Sequence, residues 1–117
     1  MMYKLSKQNI LRKNKEFQCI YQHGKSYANH FIVLYIFSQN RTKSRKVGFA
    51  AGKKLGNAVT RNRVKRLLRE AYRLNQHKIV NDGLNILLVG RKPMTNVKYN
   101  VVEKAFINLC AKAKLIK

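Results

Sequence analysis

The chain has 117 residues, of which 26 are Lys or Arg and only four are Asp or Glu, so its formal net charge is +22. This excess of cations makes a polyanion, above all nucleic acid, the expected partner. The length suits one domain, predicted as residues 1–117, and a hydrophobic content of 45% can supply its core. The longest apolar run, 31–37, is far shorter than the ~20 residues of a membrane span. Because residues 1–14 also lack a hydrophobic signal core, we expect a cytoplasmic protein with no membrane partner.

The first half of the chain predicts one helix and two strands. Asn14 is placed to cap a short amphipathic helix, and Gly24 is placed to end it. Residues 31–37 alternate between two sides, which predicts a strand with one aromatic side. That side comprises Phe31, Val33, Tyr35 and Phe37. Residues 46–52 predict a second strand, and the polar loop between the two strands favours a hairpin.

The second half of the chain predicts a helix, a strand and another helix. Asn57 offers its side chain as the N-cap of a helix from about Ala58 to Asn75. Residues 84–90 are a continuous apolar run, typical of a buried strand, and residues 97–115 have a helical apolar pattern. The order of these elements predicts a small α+β sandwich in which helices cover one sheet.

The central helix sorts its charges by helical angle. At 100° per residue, an arc of about 100° contains the residues that we call the basic ridge: Asn62, Lys65, Arg66, Arg69 and Arg73. The opposite side is an apolar stripe made of Val64, Leu67, Leu68, Ala71 and Leu74. Like charges one turn apart repel each other, and Glu70 lies outside the arc, so we expect a polyanion to contact the ridge. The alternative is an ordinary solvated helix face.

Residues 54–70, with the sequence KLGNAVTRNRVKRLLRE, form a more specific pattern than charge alone. This segment resembles the Arg-Asn-Arg signature of the bacterial ribonuclease P protein subunit. Residues 11–35 are similar to the same family's Lys-Asn-x-x-Phe helix, followed by Gly, Ser, Ala-Asn and an apolar strand that ends in Tyr. The likeness spans most of residues 4–112. One departure is Gly52, where the family commonly has Ser.

The resemblance implies both a fold and an activity. The implied fold is an α-β sandwich with a four-stranded sheet, about three helices and a left-handed crossover through the basic helix. Right-handed crossovers make up about 98% of cases, so only the resemblance supports the opposite hand. The implied activity is removal of the 5′ leader of precursor tRNA together with ribonuclease P RNA, with a lowered Mg²⁺ requirement. The RNA would contain the active centre and hold most of the Mg²⁺.

The resemblance also implies two RNA-binding surfaces. The family motif, extended by the ridge, assigns binding of the catalytic RNA to Lys53, Lys54, Arg61, Asn62, Lys65, Arg66, Arg69 and Arg73. The carbonyl of Asn62 could also hold a hydrated metal ion. A cleft for the leader of precursor tRNA would comprise Lys13, Phe17, Tyr21 and Tyr35. Aromatic rings that stack on bases suit single-stranded RNA, although Phe17 and Tyr35 could instead only seal the first helix onto the sheet.

Catalysis by the chain itself is not expected, and no catalytic residue is assigned. The carboxylates are scattered along the sequence, which does not favour a two-metal cluster: Glu16, Glu70, Asp82 and Glu103. The histidines form no obvious acid–base pair: His23, His30 and His77. Cys19 and Cys110 lack metal-ligand spacing and are predicted to be packed thiols. The basic loop 38–46 could touch RNA, but a merely hydrated loop is the preferred interpretation.

Two other classes of protein share some of these sequence features. A non-catalytic ribosomal or structural RNA-binding protein would also have this charge and fold. Such a protein has no reason to combine the Arg-Asn-Arg series with the aromatic set of the predicted cleft. A helix-turn-helix DNA-binding protein needs a helix directly before its recognition helix, whereas a strand and the Gly56 turn occur there. No DNA partner is therefore expected.

Overall fold

The computed structural model describes residues 10–11, 13–38, 45–79 and 83–116. Its helices and strands, in chain order, are α1 (Asn14–His23), β1 (Lys25–Ala28), β2 (Ile32–Ser38), β3 (Lys46–Ala51), α2 (Ala58–Asn75), β4 (Leu84–Gly90) and α3 (Tyr99–Lys112). Short 3₁₀ turns occur at Lys53–Leu55, Gln76–Lys78 and Lys92–Asn96. The predicted α+β fold with one four-stranded sheet and three helices is confirmed in the described part of the chain.

The four strands form a mixed sheet in the order β1-β2-β4-β3. β1 pairs with β2 and β2 with β4 in antiparallel fashion, whereas β3 and β4 are parallel. The predicted hairpin between 31–37 and 46–52 is therefore wrong, because β4 lies between these strands. The side chains of β4 are buried on both faces, so β4 gains most from a central position. α2 forms the crossover between β3 and β4, and its left-handed sense stays a prediction.

β1 is the strand that the sequence pattern did not predict. It is only four residues long, and three of its four residues are exposed, so it has no apolar alternation. It is held by antiparallel pairing with β2, in a register where Lys25 lies opposite Ile36 and Ala28 lies opposite Val33. Only the family resemblance had implied a fourth strand.

The sheet has a helix layer on each face. α2 and α3 cover one face, where the buried strand residues are Ile32, Leu34, Val47, Leu84, Ile86 and Leu88. The helices contribute Val64, Leu68, Tyr72, Phe106 and Leu109 to the same core. α1 covers part of the other face, where Leu11, Ile20 and Leu87 form a smaller buried cluster. The aromatic side of β2 belongs to this second face.

The caps of the two N-terminal helices differ from each other. Asn57 caps α2 as predicted, since its Oδ1 accepts a hydrogen bond from the Thr60 N–H at 3.0 Å. Asn14 does not cap α1, because it is already the first helical residue. Lys13 takes the capping position, and its backbone N–H donates to Oε1 of Glu16 at 3.3 Å. Gly24 ends α1 as predicted, with its N–H donating to the Ile20 carbonyl.

α3 ends in a Schellman motif with a lysine at its left-handed position. The Leu115 N–H donates to the Cys110 carbonyl at 2.8 Å, and the Lys114 N–H donates to the Ala111 carbonyl at 3.1 Å. Lys114 has a φ of 60°, a conformation that glycine adopts without the steric cost of a Cβ. The helix therefore stops earlier than the predicted end at residue 115, and it begins at Tyr99 rather than at residue 97.

Replacing Lys114 with Gly should raise the free energy of unfolding by about 1 kcal/mol, because the left-handed strain is relieved. Lys112→Gly is the matched control, since it makes the same chemical change at the exposed last residue of α3. There glycine should lower the free energy of unfolding by about 1 kcal/mol. Urea denaturation of both variants measures the difference. Destabilisation by Lys114→Gly would contradict the assignment of residue 114 as a left-handed cap.

Candidate RNA-binding surfaces

α2 is held tightly against the sheet by its apolar stripe. Val64, Leu68 and Ala71 are completely buried. Gly90 at the end of β4 permits this approach, since a Cβ at Gly90 would lie 2.3 Å from Cγ1 of Val64. Leu67 is only partly buried but packs against the same core. The opposite side of α2 is thereby held outward in one fixed orientation.

Arg63 is a second anchor of α2, and the sequence interpretation assigned it no role. Its Nη2 donates to the Val97 carbonyl at 2.8 Å, and its Nη1 donates to the Thr95 carbonyl at 3.2 Å. These bonds tie α2 to the end of the 3₁₀ turn Lys92–Asn96. The Arg63 side chain is therefore hydrogen-bonded within the protein, although it is the second arginine of the Arg-Asn-Arg signature. Its acceptors are more than 30 positions away in sequence, so helical periodicity could not reveal them.

Four members of the basic ridge line one groove, which we call the ridge groove. Asn62, Lys65, Arg66 and Arg69 are all exposed. The groove has a volume of about 410 Å³, and its other lining residues are Ile10, Leu11 and Phe49. The Arg69 guanidinium lies 5.6 Å from the centroid of the Phe49 ring, a cation–π contact that orients it. The ridge groove thus combines a row of hydrogen-bond donors with an apolar floor.

The wall opposite the ridge comes from residues just before α1. The Leu11 N–H donates to the Val47 carbonyl at 2.8 Å, and Ile10 forms a β-bridge with Val47. This segment therefore runs along the free edge of β3. Leu11 also belongs to the buried cluster under α1, so the ridge groove and the α1 face of the sheet share one side chain.

Arg73, the fifth member of the basic ridge, differs from the other four. Its Nε donates to Oε1 of Glu70 at 2.7 Å and its Nη2 donates to Oε2 at 3.0 Å. These hydrogen bonds hold the pKa of Glu70 below its usual value. Arg73 is not among the residues that line the ridge groove. The part of the ridge whose charge no carboxylate offsets therefore ends at Arg69 in the described structure.

The remaining predicted RNA contacts lie near the start of α2. Lys53 and Lys54 are exposed in the 3₁₀ turn before the helix. A Cβ at Gly52 would meet no atom within 4 Å, so the structure accommodates the serine that the family commonly has there. Arg61 is half-buried, and its Nε is a buried donor without a hydrogen-bond partner in the described structure.

Three of the four predicted cleft residues come together on the α1 face. The rings of Tyr21 and Tyr35 meet edge to face with centroids 5.0 Å apart, and Tyr21 is 47% exposed. Burial raises the pKa of Tyr21, and the neighbouring Tyr35 adds to this rise. Phe17 lies over Gly48, where a Cβ would be 2.9 Å from Cε1 of Phe17. Lys13 is exposed directly before α1.

The burial of these side chains bears on the alternative that the aromatic residues only pack α1 onto the sheet. Phe17 packs closely on the sheet, as that alternative expects, whereas Tyr21 presents much of its ring to solvent. Phe37 packs in the same α1-face cluster as predicted. Phe31 does not share that face. It precedes β2 and packs against the core under α2 and α3, because the alternation begins only at Ile32.

The described residues at the end of the basic loop form hydrogen bonds and an ion pair within the protein. Arg45 donates from Nε to the Tyr72 hydroxyl at 3.0 Å and from Nη2 to the Gln76 carbonyl at 3.1 Å. Lys46 forms an ion pair with Glu16, with Nζ 3.3 Å from Oε2. These contacts tie β3 to the end of α2 and to α1, and the interpretation of 38–46 as a merely hydrated loop stays a prediction. Residues 39–44, including Arg41 and Lys43, lie outside the described residues.

The described acidic groups do not form a site for a metal ion. No group of three or more His, Cys, Asp or Glu side chains that could hold an ion occurs among the described residues. Glu103 accepts hydrogen bonds from Asn75 Nδ2 at 3.0 Å and the Tyr99 hydroxyl at 2.9 Å, which lower its pKa. Asp82 lies outside the described residues. These residues do not fit a resident Mg²⁺, and coordination by the exposed Asn62 stays a prediction.

Cys19 and Cys110 are free, and burial raises the pKa of Cys110 to about 12, so its thiol remains protonated. No described helix is both long and apolar enough to cross a membrane.

Comparisons with known proteins identify the relatives of this chain. A family model described as Ribonuclease P matches residues 5–114. The ribonuclease P protein component of Clostridium botulinum (strain Loch Maree / Type A3) is 46% identical over 107 residues, which cover 92% of this chain and 96% of that relative. The ribonuclease P protein component of Natranaerobius thermophilus is 43% identical over 106 residues, which cover 91% of this chain and 90% of that relative.

Solved structures show the same fold. The ribonuclease P protein of Staphylococcus aureus has a TM-score of 0.83 at 29% identity, and the match covers 93% of this chain and 98% of that one. The protein from Thermotoga maritima has a TM-score of 0.76 at 30% identity, covering 87% of this chain and 94% of that one. Because the family model, the relatives and the structures all match nearly the full length, this chain belongs to the ribonuclease P protein component family.

Proposed function

We propose that this chain works with ribonuclease P RNA to remove the 5′ leader of precursor tRNA by hydrolysis of one phosphodiester in the cytoplasm. The observation that carries the proposal is the ridge groove, where exposed cations of α2 are presented on a helix that is anchored by Val64 and Arg63. Anchoring matters because preorganised donors lose little conformational entropy when they bind. The rival role, a purely structural RNA-binding protein, explains the charge but not the family.

The ridge groove suits the backbone of a structured RNA. Arg66 and Arg69 present planar guanidinium groups that can each grip two phosphate oxygens, whereas Lys65 contributes a mobile point charge. In our proposal these three side chains, with Lys53, Lys54, Arg61, Asn62 and Arg73, bind ribonuclease P RNA. The floor at Phe49 and the wall formed by Ile10 and Leu11 are apolar, so they suit the face of a ribose or base.

The α1 face suits the leader of the precursor. Single-stranded RNA is bound where bases stack on aromatic rings and cations meet the backbone. Tyr21 offers an exposed ring, Tyr35 fixes its orientation at 5.0 Å, and Lys13 lies at the start of the same helix. Phe17 supports this surface by packing α1 onto the sheet.

The chemistry of cleavage is assigned to the RNA. The described residues hold no cluster for a metal ion, and Glu16 and Glu70 are occupied by Lys46 and Arg73. The chain's contribution is to bind both RNAs and to neutralise phosphate charge. Neutralised phosphates repel each other less, so less Mg²⁺ is needed to hold the folded RNA and its substrate together.

The test is cleavage of end-labelled precursor tRNA at low Mg²⁺ by the chain alone, by ribonuclease P RNA alone and by the two together. We expect correct 5′ processing only in the mixture. The RNA must be active alone at high Mg²⁺, and the chain must be shown to be folded. If the mixture is then no faster than the RNA alone, the structural RNA-binding role replaces the proposal.

Tyr35→Ala should weaken binding of precursor tRNA by roughly 5- to 150-fold, because it removes the ring that orients Tyr21 and with it the stacking of one base, which contributes about 1–3 kcal/mol. Binding of mature tRNA, which lacks the leader, should change much less. Tyr35→Phe keeps the ring and should retain most of the affinity for the precursor. Equilibrium titration of both tRNAs with the assembled holoenzyme measures the ratio.

Phe37→Ala is the control for a loss of packing. Phe37 lies two residues along the same strand and packs in the same cluster as Tyr35, but it is not assigned to the leader. It should lower stability without changing the ratio of precursor to mature tRNA affinity. An equal loss for both tRNAs in Tyr35→Ala would show that Tyr35 serves only packing.

A further inference from the structure

A second groove lies outside both surfaces described above, between the β1–β2 turn and α3. Its volume is about 340 Å³, within the ~300–1,000 Å³ typical of small-ligand sites. Asn29, His30 and Phe31 line one wall of this α3 groove, and one face of α3 lines the other. It has no lining residue in common with the ridge groove. β4 separates the strand that follows this turn from β3, so the two grooves lie toward different edges of the sheet.

The turn that forms the first wall is held by hydrogen bonds within the turn and to β2, α3 and Arg91. Oδ1 of Asn29 accepts from the N–H groups of Phe31 and Ile32, both at 3.0 Å. Nδ2 of Asn29 donates to the Ala105 carbonyl of α3 at 2.9 Å. Arg91 also holds the turn, since its Nη1 donates to the Asn29 carbonyl at 2.8 Å. The groove is therefore preformed rather than created by a moving loop.

The ring pair of this wall can receive a flat ligand. His30 and Phe31 meet edge to face with centroids 4.8 Å apart and an interplanar angle of 79°. His30 is exposed and Phe31 is partly buried against the core. Such a pair offers the face of one ring and the polar edge of the other, as base-binding sites in single-stranded RNA recognition do.

The α3 wall supplies an apolar floor and a polar rim. Val101 and Ala105, one helical turn apart, form the floor. Lys104 and Asn108, also one turn apart, are exposed on the rim. Lys104 can meet a phosphate, and the Asn108 side chain, which already accepts from Asn29 at 3.3 Å, can read a base edge through its amide.

We propose that the α3 groove binds one unpaired nucleotide of an RNA, with the base against His30 and Phe31 and the phosphate at Lys104. Charge complementarity supports this occupant, because Lys104 and the nearby Arg91 are both exposed cations on a chain of net charge +22. A second copy of the chain carries the same charge and would be repelled. The site would give the protein an RNA contact separate from the ridge and the leader cleft.

Backbone and side-chain NMR titration of the full chain tests the site with adenosine and uridine monophosphates and a short single-stranded RNA. We expect saturable shifts at His30, Phe31, Val101 and Asn108. The double variant His30→Ala/Lys104→Gln should weaken binding at these residues roughly fivefold or more, while shifts along the basic ridge persist. Lys112→Gln is the matched control, an exposed lysine of the same helix outside the groove, and it should not change the groove shifts.

Two sources of the nucleotide are distinguished by salt-dependent binding of the Lys104→Gln variant to ribonuclease P RNA and, as holoenzyme, to precursor tRNA. For the RNA that occupies the groove, the salt slope should fall by about 0.7, the value for one phosphate of a single strand. Shifts confined to the ridge and the α1 face, or equal effects of Lys104→Gln and Lys112→Gln, would overturn the proposal. So would a self-association of the chain that His30→Ala/Lys104→Gln abolishes, because the groove would then join two copies.

Discussion

The triple substitution Lys65→Gln/Arg66→Gln/Arg69→Gln should lower the affinity for ribonuclease P RNA by roughly 100-fold or more, since a hydrogen bond to a charged group contributes about 1.5–3 kcal/mol. The three side chains are exposed together in the ridge groove, and none of them forms an ion pair in the described structure. Stability should change little, because the anchors of α2 are on its other side. Circular dichroism and urea denaturation check that point.

The salt dependence of binding gives a second, independent measurement on the same variant. Each neutralised phosphate contributes about 0.7–0.9 to the slope of log affinity against log salt. Loss of three contacts should therefore lower the slope by about 2–3 units. A loss of affinity with an unchanged slope would mean that the ridge does not neutralise phosphates.

A charge-matched control separates a specific surface from diffuse attraction. Lys92→Gln/Lys98→Gln/Lys112→Gln removes the same number of charges from exposed lysines that do not line the ridge groove. On a chain of net charge +22, diffuse attraction would be weakened equally by both triple variants. The structure predicts a much smaller effect for the control. Equal losses of RNA affinity in the two triple variants would mean that the ridge contributes only to the general positive potential of the protein.

The basic helix could be predicted closely because its signals are local. The Asn57 cap acts on a residue three positions away, and the angular sorting of charge depends only on helix geometry. The observed bounds, Ala58–Asn75, match the predicted ones, and the buried Val64 and Leu68 lie on the predicted stripe.

The order of the strands could not be predicted in the same way. Sequence proximity favoured a hairpin of β2 with β3, but the burial of β4 on both faces places it between them. β1 has no apolar pattern and exists because β2 offers it a free edge. Both features depend on tertiary contacts that no local pattern contains.

The candidate RNA-binding surfaces also combine features that a local pattern predicts with features that depend on tertiary contacts. Which side of α2 faces outward followed from periodicity, but the internal partners of its arginines did not. Arg63 donates hydrogen bonds to the carbonyls of Thr95 and Val97. Arg73 donates to Glu70, which lies outside the arc of the basic ridge. The contact of Phe17 with Gly48 likewise joins a helix to a strand across 31 positions, and only the structure reveals it.

Gly90→Ala should lower the free energy of unfolding by about 1–3 kcal/mol or more, the cost of overpacking a close contact. The new Cβ would lie 2.3 Å from Cγ1 of Val64 and 3.3 Å from Sδ of Met94. Met94 can move its flexible side chain, but Val64 is β-branched and has one strongly preferred rotamer in a helix. The hydrogen bonds of Arg63 resist a shift of α2 away from the sheet. Urea denaturation measures the loss.

The double variant Gly90→Ala/Val64→Ala tests whether this one contact is the cause. Val64→Ala alone should also destabilise the protein, because it leaves a cavity in the core. If the contact is as close as the structure shows, the double variant should be more stable than the sum of the two single losses predicts, by about 1 kcal/mol or more. Simple additivity would instead show that Gly90 and Val64 do not touch. Because the same contact sets how closely α2 lies on β4, the folded fraction of Gly90→Ala should also bind ribonuclease P RNA more weakly, and Val64→Ala should restore part of that affinity.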